Sequence, residues 1–432
     1  MHKKVNIAIV GFGNIGSYFY KNLKKNSRTI GAKTGKFPIV KYISVKNIKK
    51  KRNIKIPKSI VVKNPIDLVY KKDVDIIIEL VGGAEGVAKK LVFKALENSK
   101  HVITANKSLI SKHGDELGYL AEKNGVNLEY EASVAGGVPV IRSIKDSLIA
   151  NKITKIFGIL NGTTNYILST MEKTGKTFSE SVNQAKKLGF AESNPIADIN
   201  GSDAAAKIRI LSSISFNKVL SKNKILTEGI QNISLTDIYH ARNLGYKIKL
   251  LAISEIINNK LMERVHPSLV IKKSYIAKIN GVLNAIIIDG SPLGRSIMQG
   301  EGAGPGPTSS ALISDLCSIL RGKIRYPFGV SSSLRKKISK FDISKHECSS
   351  YIRIEVKDQH GVLSSITKSF TINKISINIQ KCPKEMKENN IIKQDDVVLV
   401  GQLSHYASNT IFQEAGARIR TIPVDEDGLD IE

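Results

Sequence analysis

The stretch Gly189-Phe-Ala-Glu-Ser-Asn-Pro-Ile-Ala-Asp-Ile-Asn-Gly-Ser-Asp-Ala-Ala-Ala-Lys207 holds the residues of this chain best spaced for chemistry. Glu192 falls on a loop. A helix opening at Gly201-Ser202 carries Asp203 and Lys207 at i and i+4, so both lie on one face. A carboxylate that can hold an amine, beside a lysine held by a second carboxylate, suits proton transfer on a small amino-acid substrate. A lone Asp-x-x-x-Lys is more often a solvated ion pair worth about 0.3–0.5 kcal/mol. A separate nucleotide signature at the start of the chain lifts this pair above that reading.

That signature is Val5-Asn-Ile-Ala-Ile-Val-Gly-Phe-Gly-Asn-Ile-Gly16. A β-branched strand runs into three glycines and then a helix-like segment, the context a dinucleotide turn requires. Gly11 permits the tight turn, Gly13 the approach of a pyrophosphate, and Gly16 close helix–strand packing. The anion would rest on the free N–H groups of the helix start. Nucleotide contacts are therefore expected from Gly11, Phe12, Gly13, Asn14, Ile15 and Gly16. An NAD site usually adds an Asp or Glu about 20 residues on, for the ribose 2′-hydroxyl. Here no acidic residue precedes Asp67, and the first 66 residues hold 17 Lys and Arg. Lys46, after the second strand Phe37–Val45, would attract a 2′-phosphate. The expected preference is NADP over NAD.

Strand and helix patterns alternate through residues 1–132, with strands at Asn6–Val10, Ile39–Val45, Val74–Leu80, His101–Thr104 and Asn127–Glu131. Helices are expected at Gly16–Lys25, Ala84–Asn98 and Gly114–Asn124. The alternation implies a parallel, doubly wound α/β sheet. Lys107 follows the buried strand that ends at Thr104 and falls at the crevice mouth. Residues 133–330 read as a second α+β unit, with strands at Thr154–Leu160, Lys247–Ile257, Arg264–Val270 and Ala285–Asp289. Asn161-Gly-Thr-Thr-Asn165 reads as a helix-capping turn. Gly300-Glu-Gly-Ala-Gly-Pro-Gly306 reads as a loop closing over the nicotinamide end, ahead of a helix from Thr308. The helices from about residue 306 are expected to return to the first domain. Residues 331–348 are polar and basic, a linker. Strands are expected again at Tyr351–Val356 and Ile375–Gln380, with a short helix opening at Asp358–Leu363.

At 432 residues the chain has room for two or three domains. No apolar run reaches the ~18 residues of a membrane span, and no secretory leader pattern opens the chain. Three cysteines, Cys317, Cys348 and Cys382, show no metal spacing; a reducing cytoplasm is the expected setting. Net charge is +28, but the excess is scattered as single lysines. The densest run, Asn47–Arg52, has no aromatic interleaving for base stacking, so nucleic-acid binding is not expected as the function.

Several motifs together make the chain similar to the homoserine dehydrogenases, the bacterial type with a C-terminal ACT regulatory domain. They are Gly11–Gly16, Thr104-Ala-Asn-Lys107, Glu131-Ala-Ser-Val-Ala-Gly-Gly-Val-Pro139, Gly158–Ile167, Gly189–Lys207 and Gly302-Ala-Gly-Pro-Gly-Pro-Thr308. The resemblance spans residues 4–400. It implies a Rossmann-type nucleotide domain (1–132), a catalytic and dimerisation domain (133–330), the linker, a ferredoxin-like ACT domain (349–405) and an atypical tail (406–432). It also implies reversible reduction of L-aspartate 4-semialdehyde to L-homoserine by NADPH (or NADH), in threonine, methionine and isoleucine biosynthesis. On the matching positions Lys207 would be the acid/base, Asp203 would position it, and Lys107 would be a second active-site lysine. Glu192 and Asp203 would bind substrate. Lys107, Gly189 and Gly302 would join Thr104 at the nucleotide. Glu131, Val134, Gly136 and Val138 would hold a monovalent cation, Na or K, largely through carbonyls. A homodimer or homotetramer and a threonine effector follow from the same resemblance. The competing readings are a silent amino-acid sensor on the same folds, against which the intact Glu192, Asp203 and Lys207 argue, and another dehydrogenase of a related semialdehyde. The segment Asn409–Ile431 resembles a piece of an aminotransferase-like domain instead, so the ACT sheet is expected to lack its last strand and leave an unpaired edge.

Overall fold

Short β-branched runs separated by helices fold into a six-stranded sheet: β1 (Lys3–Val10), β2 (Lys36–Ser44), β3 (Val61–Val62), β4 (Ile76–Glu79), β5 (His101–Thr104) and β6 (Leu128–Glu129). In this computed structural model the described residues are 3–47, 54, 56–355, 364, 367–368, 371–372, 377–380, 396–404 and 418–425. The strand order is β3-β2-β1-β4-β5-β6, with every pairing parallel. The order reverses between β1 and β4, and the loops leaving the carboxyl ends there open a crevice. Three helices cross over: α1 (Asn14–Thr34), α2 (Val87–Glu97) and α3 (Lys107–Lys123). The last starts seven residues earlier than the sequence pattern suggested. Asn106 caps it, accepting from the Leu109 N–H at 3.1 Å. Gly114 lies inside it, at a point where a side-chain carbon would meet the Phe328 ring at 2.7 Å.

The second layer is antiparallel apart from one short strand, β8, which runs parallel to its neighbour β10. It contains β7 (Lys152–Ile159), β8 (Leu226–Thr227), β9 (Tyr246–Ile257), β10 (Lys260–Ile271), β11 (Leu283–Ser291) and β12 (Gly294–Glu301), in the order β12-β11-β7-β9-β10 with β8 beside β10. Strand β12, rich in glycine and at the sheet edge, was not expected. The accompanying helices are α4 (Val140–Arg142), α5 (Gly162–Thr174), α6 (Phe178–Lys187), α7 (Ile196–Ile199), α8 (Ser202–Ser215), α9 (Leu235–Asn243) and α10 (Pro305–Leu320). Helix α10 packs back on the first sheet. Its Leu312 and Leu316 pack with Ile7, Ile9, Phe19 and Ile78 in one core cluster. It begins at Pro305, whose missing N–H costs nothing in a first turn.

The segment from residue 331 to 341 is pinned to this body. Arg335 is buried, with Nη1 2.8 Å from Asp115. Four strands follow: β13 (Glu347–Glu355), β14 (Ile377–Gln380), β15 (Asp396–Ser404) and β16 (Arg418–Asp425), in the order β16-β13-β15-β14, all antiparallel. The expectation of a missing last strand does not hold. Strand β16 pairs with β13 on one side and runs parallel to β10 on the other, through Leu269↔Val424 and Val270↔Asp425. The two sheets are thereby continuous. The Tyr351 hydroxyl and Arg353 Nε both donate to Asp237 Oδ1, at 3.1 and 2.9 Å, and Asp237 also caps α9. The helix expected at 358–363 and most of the tail lie outside the described residues. Among the described residues no helix is long and apolar enough to cross a membrane.

Candidate active site

The glycine turn has the geometry its sequence demands. Gly11 takes φ +97°, and a side-chain carbon on it would lie 2.6 Å from the Leu80 carbonyl oxygen. At Gly16 such a carbon would run into the Gly11 carbonyl, whereas at Gly13 it would meet nothing within 4 Å. The turn is thus tight at both ends and open in the middle, where a pyrophosphate would approach. Gly13 and Asn14 are exposed and Ile15 is half-buried. The Phe12 ring is buried edge-on to Tyr20, leaving its backbone for the crevice. No acidic residue occupies the first turn of α1, so its free N–H groups keep their attraction for an anion. Lys46 is exposed two residues beyond β2. A dinucleotide fits the open middle of this turn.

The acid–lysine pair forms as spaced. Lys207 Nζ lies 2.7 Å from Asp203 Oδ2 and donates to the Leu160 carbonyl at 2.7 Å. Lys107, arriving from the end of β5, places its Nζ 2.8 Å from Asp203 Oδ1. Asp203 is 7% exposed and sits between two ammonium groups. Burial works against its charged form, but Lys207 and Lys107 outweigh that and hold its pKa well below the ordinary carboxylate value. Lys107 is likewise desolvated, yet the charges of Asp203, Asp198 and Glu192 raise its pKa. Glu192 is exposed on the loop after α6, close enough for its charge to act on Lys107. That loop is tied to α5 by the Thr163 hydroxyl, which donates to the Phe190 carbonyl at 2.7 Å. Gly189, with φ +75°, follows the end of α6 in the same loop.

Two site residues escaped the sequence reading of chemistry. Asn161 caps α5 as expected, but its Nδ2 also donates to Asp198 at 2.7 Å and to Asp203 at 2.9 Å. Asp198 is half-buried, and desolvation together with Asp203 raises its pKa. The signal available was Asp198 itself, one helical turn before Asn200-Gly201.

The Glu131–Val138 loop packs on the second glycine loop, where Gly137 N donates to the Glu301 carbonyl at 2.9 Å. The Glu131 carboxylate caps α4, accepting from Ile141 N at 2.9 Å and Arg142 N at 2.7 Å. Burial pushes its pKa up to about 7, against those two N–H groups and Arg142. Val134, Gly136 and Val138 are buried, and among the described residues no hydrogen bond reaches the Val134 or Gly136 carbonyl oxygen. Orphaned carbonyls suit a hard monovalent cation. Gly302 lies beside this loop and against the Asn284 amide. The Thr104 hydroxyl, in contrast, is buried and donates to Glu79, so only the Thr104 backbone remains for a nucleotide.

Comparison with known proteins supplies the reaction. A family model described as homoserine dehydrogenase matches residues 139–317, and one described as homoserine dehydrogenase, NAD binding domain, matches residues 11–131. Homoserine dehydrogenase of Neisseria gonorrhoeae is 37% identical over 389 residues, 88% of each chain. A homoserine dehydrogenase from Thiobacillus denitrificans has the same fold with a TM-score of 0.88 at 31% identity, covering 98% of both chains. A hyperthermophilic archaeal homoserine dehydrogenase in complex with NADPH gives a TM-score of 0.61 at 26% identity, over 73% of this chain and 97% of that one.

Proposed function

This chain belongs to the homoserine dehydrogenase family, and on that premise we propose how its own residues conduct the nicotinamide-dependent reduction of L-aspartate 4-semialdehyde to L-homoserine. The observation that carries the proposal is Asp203 held between Lys107 and Lys207. When bound, a nicotinamide at this crevice would supply or accept the hydride at C4 of the four-carbon substrate. Reduction of the aldehyde builds negative charge on its oxygen, and a positioned ammonium both stabilises that charge and delivers a proton. Lys207 has this role. Asp203 and the Leu160 carbonyl fix its Nζ. Asn161 holds Asp203 and Asp198 in turn. Glu192, exposed and without an ion pair among the described residues, takes the substrate ammonium. Lys107 bridges the nucleotide crevice and the substrate side through Asp203.

The preferred nucleotide in this proposal is NADP, supported by the exposed Lys46 and the missing carboxylate after β2. The carbonyls of Val134 and Gly136 would hold a sodium or potassium ion, which would stiffen the loop that packs on Glu301. The order β16-β13-β15-β14 supports an ACT-type sheet, with threonine as its effector. A homodimer or homotetramer is the expected assembly, in the cytoplasm. The test of the core proposal is NADPH oxidation with aspartate semialdehyde by the unsubstituted protein and by Lys207→Ala. Turnover that survives the substitution removes Lys207 from the chemistry.

A further inference from the structure

Glu79 ends β4 in the run Ile76-Ile-Ile-Glu79 and is fully buried. A carboxylate in that position needs partners, because an isolated buried charge is expensive. Its partners here are not cations. Oε1 accepts from the backbone N–H of Val81 at 2.7 Å and of Gly82 at 2.9 Å. Oε2 accepts from the Thr104 hydroxyl at 2.6 Å, on the neighbouring strand β5, where Thr104 is its register partner. Thr104 Oγ1 in turn accepts from the Asn106 N–H at 3.0 Å. Asn106 caps α3 and donates from Nδ2 to the Gly83 carbonyl at 2.7 Å. The next residue is Lys107. One buried carboxylate is thus bonded to both loops that flank the crevice at the carboxyl ends of β4 and β5.

The loop it holds needs holding. Gly82, Gly83 and Gly86 all have positive φ, so little in the local backbone selects one conformation. Leu80, at the base of this loop, is the residue against which Gly11 packs. Displacing the loop would therefore disturb the nucleotide turn as well.

We propose that Glu79 is a positioning residue for the reaction: it sets the Val81–Gly83 wall of the crevice and, through Thr104 and Asn106, the start of α3 that presents Lys107 to Asp203. This rests on the reading of the crevice as the nucleotide site. The hydrogen-bond pattern, not the charge alone, is the working element. Glutamine can keep one oxygen on the two N–H groups and turn its amide toward Thr104 Oγ1, whereas alanine loses every bond.

The experiment is fluorescence titration with NADPH beside steady-state turnover, on the full chain. Glu79→Ala should raise the NADPH Kd and lower kcat by about 10- to 100-fold each, the scale of a small misplacement of catalytic groups. Glu79→Gln should restore the Kd to within about threefold of the parent. Thr104→Val cuts the link to Asn106 but leaves the loop bonds. It should lower kcat about tenfold with little change in Kd, a split that general destabilisation does not produce. If Glu79→Ala does not fold, the glutamine and valine variants decide. A glutamine variant that has lost NADPH affinity, a valine variant with unchanged kcat, or an alanine variant matching the parent each overturns the proposal. Absence of NADPH binding by the parent protein would overturn the crevice reading and this proposal together.

Discussion

Asp203 and Lys107 meet at 2.8 Å, although one opens α8 in the catalytic layer and the other opens α3 beneath the nucleotide crevice. Lys207 approaches the second oxygen of the same carboxylate at 2.7 Å. One buried anion thus joins two domains and two cations. Removing it leaves two ammoniums close together with no counter-charge. Asp203→Asn should cost about 3–5 kcal/mol of stability at neutral pH, the range for breaking a buried pair. The folded-state pKa of Asp203 is depressed by Lys207 and Lys107. Its contribution is therefore present above the ordinary carboxylate pKa and is lost as pH falls toward the folded value. Urea unfolding of parent and variant should give stability curves that keep a constant separation down to about pH 5 and converge only below about pH 4, where the unfolded carboxylate takes up its proton. Parallel curves would refute the linkage.

Lys207→Ala removes the proton donor but none of the nucleotide contacts. The expected loss in kcat is about 10²- to 10⁴-fold, the usual worth of a positioned acid or base. NADPH affinity should remain within about twofold of the parent. Equal loss in kcat and in NADPH affinity would place Lys207 in cofactor binding instead.

What could be read from the sequence was local. Gly11 and Gly16 are dictated by a positive φ and a backbone contact within a few residues, and Asp203 with Lys207 by helical spacing. Lys107 was legible because it follows a buried strand. Asn161 was legible as a cap but not as the donor to Asp198 and Asp203, since that contact joins residues far apart in the chain. Glu79 left a trace, a carboxylate closing a run of three isoleucines, but its meaning lay in Thr104 on another strand. Strand β16 shows the same limit most clearly. Its partners β13 and β10 are supplied by distant segments, and the likeness of the surrounding stretch to another fold obscured its own strand pattern.

Lys46 bears on cofactor choice. It is exposed beyond β2, where a 2′-phosphate would distinguish NADPH from NADH. Lys46→Ala should raise KM for NADPH by about tenfold, equivalent to one modest charge-assisted contact. KM for NADH should be unchanged. The check is kcat/KM for both nucleotides with both proteins. A parent that prefers NADH would contradict the assignment.

The orphaned carbonyls of the Glu131–Val138 loop predict a specific response to small cations. At constant ionic strength, replacing tetramethylammonium chloride with sodium or potassium chloride should raise kcat or the melting temperature, because a bound ion stabilises the state that holds it. A bulky organic cation cannot enter such a loop, while it screens surface charge equally well. Identical activity and melting in the two salts would argue against a cation site.

Lys249 offers a pH signature outside the active site. It is 1% exposed on β9, and its Nζ donates to Asn165 Oδ1 at 3.0 Å, the Ile279 carbonyl at 2.5 Å and Asn280 Oδ1 at 3.2 Å. Burial, aided by repulsion from Lys247 and opposed by Glu172, pushes its pKa down to about 8 from 10.5. Between those values the unfolded chain holds a proton that the folded chain has released, so this group makes stability rise with pH. Below pH 8 both states are protonated and its effect is constant. Lys249→Met abolishes the titration. The stability of the parent relative to the variant should therefore increase from pH 8 to pH 10, by up to about 2 kcal/mol. Chemical unfolding in that window measures it. A flat or falling difference would mean that Lys249 stays protonated in the fold, held by its three acceptors more strongly than burial opposes it.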